Sequence, residues 1–111
     1  MSNWKTLDSP TLKIPLELRE VTVPGSNDRI WEIQELRKGC VFKATLAAQV
    51  LQGGPAGKSS LRRQPTEPEI ERAVCLAVEE ALLSEPEKEP GATYEIAVNS
   101  QEMETSAEMS R

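Results

Sequence analysis

The segment from Thr66 to Leu83 constrains the fold more than any other, because it predicts a single amphipathic α-helix, TEPEIERAVCLAVEEALL. Apolar residues recur at the i, i+3, i+4 and i+7 spacing of one helix face, and they are Ile70, Ala73, Val74, Ala77, Val78, Ala81 and Leu82. Thr66 is a favourable N-cap, and Glu69 completes a capping box with it. Pro86 lies beyond the last turn and would end the helix. This helix indicates a folded core.

Three segments before and after this helix have the composition or the alternation of β-strands. They are Pro15–Val23, Arg29–Leu36 and Thr93–Asn99. Segment 40–52 is ambiguous, because CVFKATL favours a strand over Cys40–Thr45, whereas its alanines and the spacing of Phe42 and Leu46 favour a helix. The expected fold class is therefore α+β, with a small antiparallel sheet of three to four strands and one long amphipathic helix packed on one face.

A chain of 111 residues is expected to form one domain. We expect residues 1–9 to be a flexible N-terminal arm and residues 10–99 to be the single α+β domain. Within that domain, residues 52–65 (QGGPAGKSSLRRQP) are rich in Gly, Ser, Pro and basic residues, which predicts a mobile basic loop. Residues 100–111 have low hydrophobicity, which predicts a disordered acidic tail.

The net charge of −5 is unevenly distributed along the chain. Residues 1–65 hold ten Lys and Arg against six Asp and Glu, which gives +4, whereas residues 66–111 hold three against twelve, which gives −9. This asymmetry fits either a solvated acidic helix face and tail or electrostatic pairing between the two halves, within a chain or between subunits. Nucleic-acid binding is not expected, because the chain is acidic and its basic loop has no neighbouring aromatic residue.

The residue types that catalysis and metal binding require are scarce. The chain has no His and only two Cys, so it has neither a usual general base for a nucleophile nor a recognisable zinc-ligand set, and we expect no catalytic residues, metal or cofactor. We expect Cys75 to be a buried, unreactive thiol and Glu69, Glu79 and Glu80 to be solvated charges. There is no signal-peptide pattern and no apolar run long enough to span a bilayer, which predicts a cytoplasmic protein without membrane contact.

The loop sequence GGPAGKS, residues 53–59, has the glycines, Lys and Ser that a phosphate-binding loop uses. However, its glycine spacing is one residue short, and the sequence SLRRQP separates it from the helix. A flexible basic loop is the simpler interpretation. The alternative hypothesis is an anion-binding regulatory protein that holds a nucleotide or nucleic-acid phosphate with Lys58, Ser59, Arg62 and Arg63.

A second stripe on the predicted helix suggests a contact surface. Leu76 and Leu83 lie seven residues apart and away from the main apolar face, close to Arg72. Isolated exposed leucines are common, but a thin core makes contact with another subunit or partner more plausible here. The favoured hypothesis is a non-enzymatic protein-interaction or assembly module that binds itself, as a dimer or larger, or another protein. An enzyme completed across a subunit interface is the least favoured reading.

Overall fold

The computed structural model of the chain describes residues 4–48, 50, 65–84 and 91–109. These residues form a five-stranded sheet and two helices of ten or more residues. In chain order the elements are β1 (Lys5–Asp8), β2 (Pro15–Val21), β3 (Arg29–Glu35), β4 (Val41–Leu46), α1 (Glu67–Ser84), β5 (Thr93–Val98) and α2 (Ser100–Met109). The mixed α+β class is as expected.

The sheet has the strand order β1-β2-β3-β4-β5. The first four strands pair antiparallel, whereas β5 pairs parallel to β4, with Val41 opposite Thr93 and Leu46 opposite Val98. The expectation of three to four antiparallel strands was therefore wrong in both number and direction. The physical reason for the direction is that α1 carries the chain back across the sheet, so the next strand runs the same way as β4.

One face of the sheet carries the core, and α1 packs against it. Alternate residues of β2, β3, β4 and β5 point to this face, and the buried ones are Leu16, Leu18, Trp31, Ile33, Phe42, Ala44, Leu46 and Val98. The helix supplies Ile70, Ala73, Val74, Ala77 and Val78, as its periodicity predicts. The Cys40 and Cys75 thiols are buried and free, and burial raises the pKa of Cys75 to about 12.

The beginning of α1 has the capping box that the sequence predicts. The Thr66 amide donates to a Glu69 carboxylate oxygen at 2.8 Å, and the Glu69 amide lies 3.4 Å from the Thr66 hydroxyl. The expectation that Glu69 and Glu79 are solvated was wrong, because both are almost fully buried. Burial of a carboxylate requires such hydrogen bonds in place of water.

The N-terminal segment is ordered from Trp4, although residues 1–9 were expected to be a flexible arm. Strand β1 pairs with β2, and the Lys5 ammonium forms an ion pair with Glu71 at 2.7 Å. The following turn is tied to α1, since Glu79 accepts from the Thr11 amide at 2.9 Å and from the Leu12 amide at 2.7 Å. These contacts join residues that are far apart in the sequence and hold the strand on the sheet.

The C-terminal segment also differs from the expectation, because α2 occupies much of the tail that low hydrophobicity predicted to be disordered. Asn99 and Glu102 form a second capping box, with both amide-to-side-chain distances at 3.1 Å. The Met103 side chain is fully buried in the core, and the Ser106 hydroxyl donates to the Glu69 carbonyl on α1. In the described part of α2, the buried Met103, one capping box and the Ser106 hydrogen bond therefore hold a helix that lacks a long apolar stripe.

The ambiguous segment 40–52 begins as a strand, in agreement with the strand favoured over Cys40–Thr45. The basic loop predicted for residues 52–65 lies outside the described residues except for Pro65. In the described part of the chain no helix is long and apolar enough to cross a membrane.

Candidate functional site

Strand β5 is one edge of the sheet, and no backbone group of the described residues bonds to its outer side. The Val41 amide donates to the Ala92 carbonyl at 2.9 Å, which sets the phase of the parallel ladder. In such a ladder the backbone groups of alternate residues bond to the neighbouring strand. The N–H and C=O groups of Tyr94 and Ile96 therefore point toward β4. The N–H and C=O groups of Thr93, Glu95 and Ala97 then point away from the sheet. They form a row of donors and acceptors along the edge.

The side chains of β5 make this edge largely apolar. Tyr94 and Ile96 are half-buried and pack against the core, and the Tyr94 ring lies 5.7 Å from the Phe42 ring between centroids. On the opposite face of the strand, Thr93, Glu95 and Ala97 are exposed. Glu95 is the single charged residue of the strand and is in register with Lys43 of β4. An edge of this composition resembles a strand that another strand could cover.

The face of the sheet away from α1 contains a groove that reaches the β5 edge. Its volume is about 570 Å³, and it is lined by Val21, Val23, Ile30, Glu32, Lys43, Thr45, Glu95, Ile96 and Ala97. Val23 is 42% exposed. Nearer to β1 the same face is polar, because Arg19 forms an ion pair with Glu32 at 2.6 Å and lies over the Trp4 ring at 4.5 Å. The less polar half of this face is therefore the half beside β5.

The opposite edge, β1, has a different chemical character. It is four residues long, and its sequence KTLD places a charge at each end. A crevice of about 410 Å³ separates it from α1, lined by Lys5, Leu7, Asp8, Pro10, Lys13, Pro68, Glu71, Arg72 and Cys75. Lys13 adopts a φ of 56°, and its amide donates to the Ser9 carbonyl, so this left-handed residue closes the turn. The crevice holds three basic and two acidic side chains and one protonated thiol, so its charges largely offset one another.

The three residues predicted to form a contact stripe do not line a common groove. Arg72 is half-buried in the crevice beside β1. Leu76 is half-buried on the other side of α1, in a small groove with Glu80, Gln101, Glu102 and Thr105 of the α1–α2 pair. Leu83 is 67% exposed near the end of the helix. Part of the second stripe on α1 therefore faces α2 of the same chain, a helix that the sequence interpretation did not include.

The predicted anion-binding residues Lys58, Ser59, Arg62 and Arg63 lie outside the described residues. Among the residues that are described, no group of three or more His, Cys, Asp or Glu side chains could hold a metal ion. Every buried side-chain nitrogen and oxygen in the same residues has a hydrogen-bond partner. The described interior thus has no orphaned polar atom that a ligand would satisfy.

Two carboxyl groups meet where α2 packs on α1. Burial, a hydrogen bond with the neighbouring Glu80 carboxyl and the repulsion between the two like charges together raise the pKa of Glu102 to about 7. Glu79 behaves in the opposite way, since its hydrogen bonds to the Leu12 and Thr11 amides outweigh burial and lower its pKa. Both groups act between elements of the fold, and neither lines the groove beside β5.

Comparison with known proteins adds no relative to this description. No protein-family model matches the chain, and no curated protein or solved structure is significantly similar to it.

Proposed function

We propose that the protein is a small non-enzymatic protein-interaction or assembly module that forms a homo-oligomer through the β5 side of its sheet. The observation that carries the proposal is the β5 edge, where outward-facing backbone groups of Thr93, Glu95 and Ala97 lie beside half-buried Tyr94 and Ile96. Within the part of the chain that the structure describes nothing pairs with this edge, and exposed edges are the usual templates for strand addition. The adjoining groove supplies further apolar surface on the open face.

A second copy of the chain is the occupant that the edge fits best. Two copies of one edge strand that are related by a two-fold axis run antiparallel, and every outward N–H then has an outward C=O opposite it. Because the strand carries one charge, it can pair with its own copy in a register that keeps the two Glu95 carboxylates from lying opposite each other. The exposed Leu83 supports a second contact in the same assembly, whereas Arg72 and Leu76, predicted to share that contact, lie in two separate grooves.

The alternative anion-binding function gains no support from the described residues, because Lys58, Ser59, Arg62 and Arg63 lie outside them. A cytoplasmic location is part of the proposal, since two free buried thiols suit a reducing compartment.

The test is the particle mass, measured by light scattering across a dilution series at low and high salt. We expect a mass of at least twice 12.3 kDa at high protein concentration, with little dependence on salt because the edge is mostly uncharged. Ala97→Glu should weaken self-association more than tenfold, since it adds a second carboxylate beside Glu95 on an edge that meets its own copy, where like charges repel.

The matched control is Thr6→Glu, because Thr6 is an exposed small residue on the other edge strand, β1. This variant should keep the wild-type mass. A monomer at every concentration, with the fold intact by circular dichroism, would contradict the proposed assembly. Equal loss in Ala97→Glu and Thr6→Glu would show that the β5 edge has no special role.

A further inference from the structure

We infer that the assembly is a two-fold symmetric pairing of β5 with β5 of a second copy, with Ile96 directly opposite its own counterpart. This inference rests on the proposed self-association and adds its geometry. It joins the two five-stranded sheets into one continuous sheet. The helices of both copies then lie on the same side of that sheet.

The phase of the β4–β5 ladder restricts how two β5 edges can pair. Because the backbone groups of Thr93, Glu95 and Ala97 point outward, these odd-numbered residues must form the hydrogen-bonded pairs between copies. An odd-numbered residue can therefore face only another odd-numbered residue. Among two-fold arrangements, this leaves registers centred on single residues of the strand.

Two of these registers keep five residue pairs within the strand. One is centred on Glu95 and the other on Ile96, whereas centres at Tyr94 or Ala97 keep fewer pairs inside Thr93–Val98. The register centred on Glu95 forms two more backbone hydrogen bonds, but it places two carboxylates face to face on adjacent strands. Like charges directly opposite each other are destabilising, and they would be moved away from water on one side.

The register centred on Ile96 removes this conflict. Glu95 then lies opposite Ala97 of the second copy and stays beside Lys43 of its own β4. On the helix side of the sheet, Ile96 meets its counterpart and Tyr94 lies opposite Val98 of the second copy. These pairs cover the Tyr94 and Ile96 side chains, which are half-buried at the edge of the core. The Ile96 pair occupies a position without mutual hydrogen bonds, where the side chains approach most closely.

Disulfide crosslinking tests the register directly. The natural thiols are 0% and 1% exposed at Cys40 and Cys75, so a cysteine introduced on β5 is the reactive one. Under mild oxidation Ile96→Cys should double its mass on a non-reducing gel, because the two Cα atoms lie within disulfide range only in this register. Glu95→Cys should stay monomeric on the same gel, since its counterpart lies two positions away along the opposite strand.

The outcomes separate this inference from the proposed function. Crosslinking of Glu95→Cys in place of Ile96→Cys would overturn the Ile96 register. If both cysteine variants keep the oligomer mass in solution but neither crosslinks, the pairing of β5 with itself is wrong although self-association stands. If the wild-type chain is monomeric throughout, the proposed function fails first. Light scattering of the reduced Ile96→Cys variant shows whether the substitution itself has disturbed the assembly.

Discussion

The two edge strands of the sheet, β1 and β5, differ in length, in charge and in their contacts with the rest of the chain. Strand β1 is short and charged, its Lys5 is bound to Glu71, and the turn after it is held by Glu79 of α1. Strand β5 is longer and carries one charge, and its outward backbone groups adjoin an open groove. Short, charged edges resist pairing with other strands, whereas longer apolar edges favour it. Under the proposed function, one end of the sheet is protected from pairing and the other is the end that assembles.

The largest loss of stability is expected when the Glu79 side chain, which holds the turn after β1, is removed. Glu79→Ala would leave the Thr11 and Leu12 amides without their acceptor, so we expect the free energy of unfolding to fall by about 2–3 kcal/mol. Urea unfolding measures this loss. Hydrogen exchange should show faster exchange of β1 amides, whereas β5 amides keep their protection.

Glu79→Gln is the matched variant, because it retains one acceptor oxygen and loses the charge. Hydrogen bonding lowers the pKa of Glu79 in the folded state, so the ionised group stabilises the fold above its unfolded pKa of 4.5. That contribution is lost as the pH falls through the lower folded pKa. The stability difference between wild type and Glu79→Gln should therefore shrink in acid. Wild-type stability in Glu79→Ala would contradict the anchoring role.

A smaller effect is expected on the β5 side, where α2 follows the strand and packs on α1. The pKa of Glu102 is raised from 4.5 to about 7 in the folded state, so the folded chain binds more protons than the unfolded chain between these values. Stability is therefore complete below about pH 4.5 and declines as the pH rises through about 7. We expect a decline of about 1 kcal/mol, allowing for partial solvation of the pair.

Glu102→Gln tests this prediction with the helix cap preserved, because Gln also serves at the third position of a capping box. Its free energy of unfolding should be nearly flat across the same pH range and should exceed that of wild type at pH 8. Glu80→Gln should also make the free energy of unfolding less dependent on pH, since it removes the charge beside Glu102. An unchanged slope in both variants would mean that the two carboxyl groups do not interact.

The same contrast explains which parts of the fold the sequence predicts. Helix α1 and the burial of one face of β5 were predicted correctly, because the 3.6-residue period and the alternation are local signals. Strand β1 was missed because KTLD has one apolar residue, and the contacts that hold it come from Glu71 and Glu79, more than sixty residues away. Non-local contacts of this kind leave no pattern in the segment itself.

Helix α2 had a readable signal that hydrophobicity alone concealed. Asn99 and Glu102 have the spacing of a capping box, and Met103 and Ser106 follow at helical intervals. The position of β5 at an edge could not be derived from its sequence, because strand order depends on how the chain crosses the sheet. The residues of the candidate surface were therefore predicted as a strand, whereas their open side depends on the topology.

The smallest expected effect concerns the charges of β1. Lys5 is 56% exposed in its side chain, and ion pairs this exposed contribute little, so Lys5→Ala should lower the free energy of unfolding by no more than about 0.5 kcal/mol. A double-mutant cycle with Glu71→Ala in urea unfolding measures the coupling between the two groups. We interpret these charges as protection of the edge rather than as a source of stability. A coupling well above 1 kcal/mol would assign them a structural role and would weaken the distinction between the two edges.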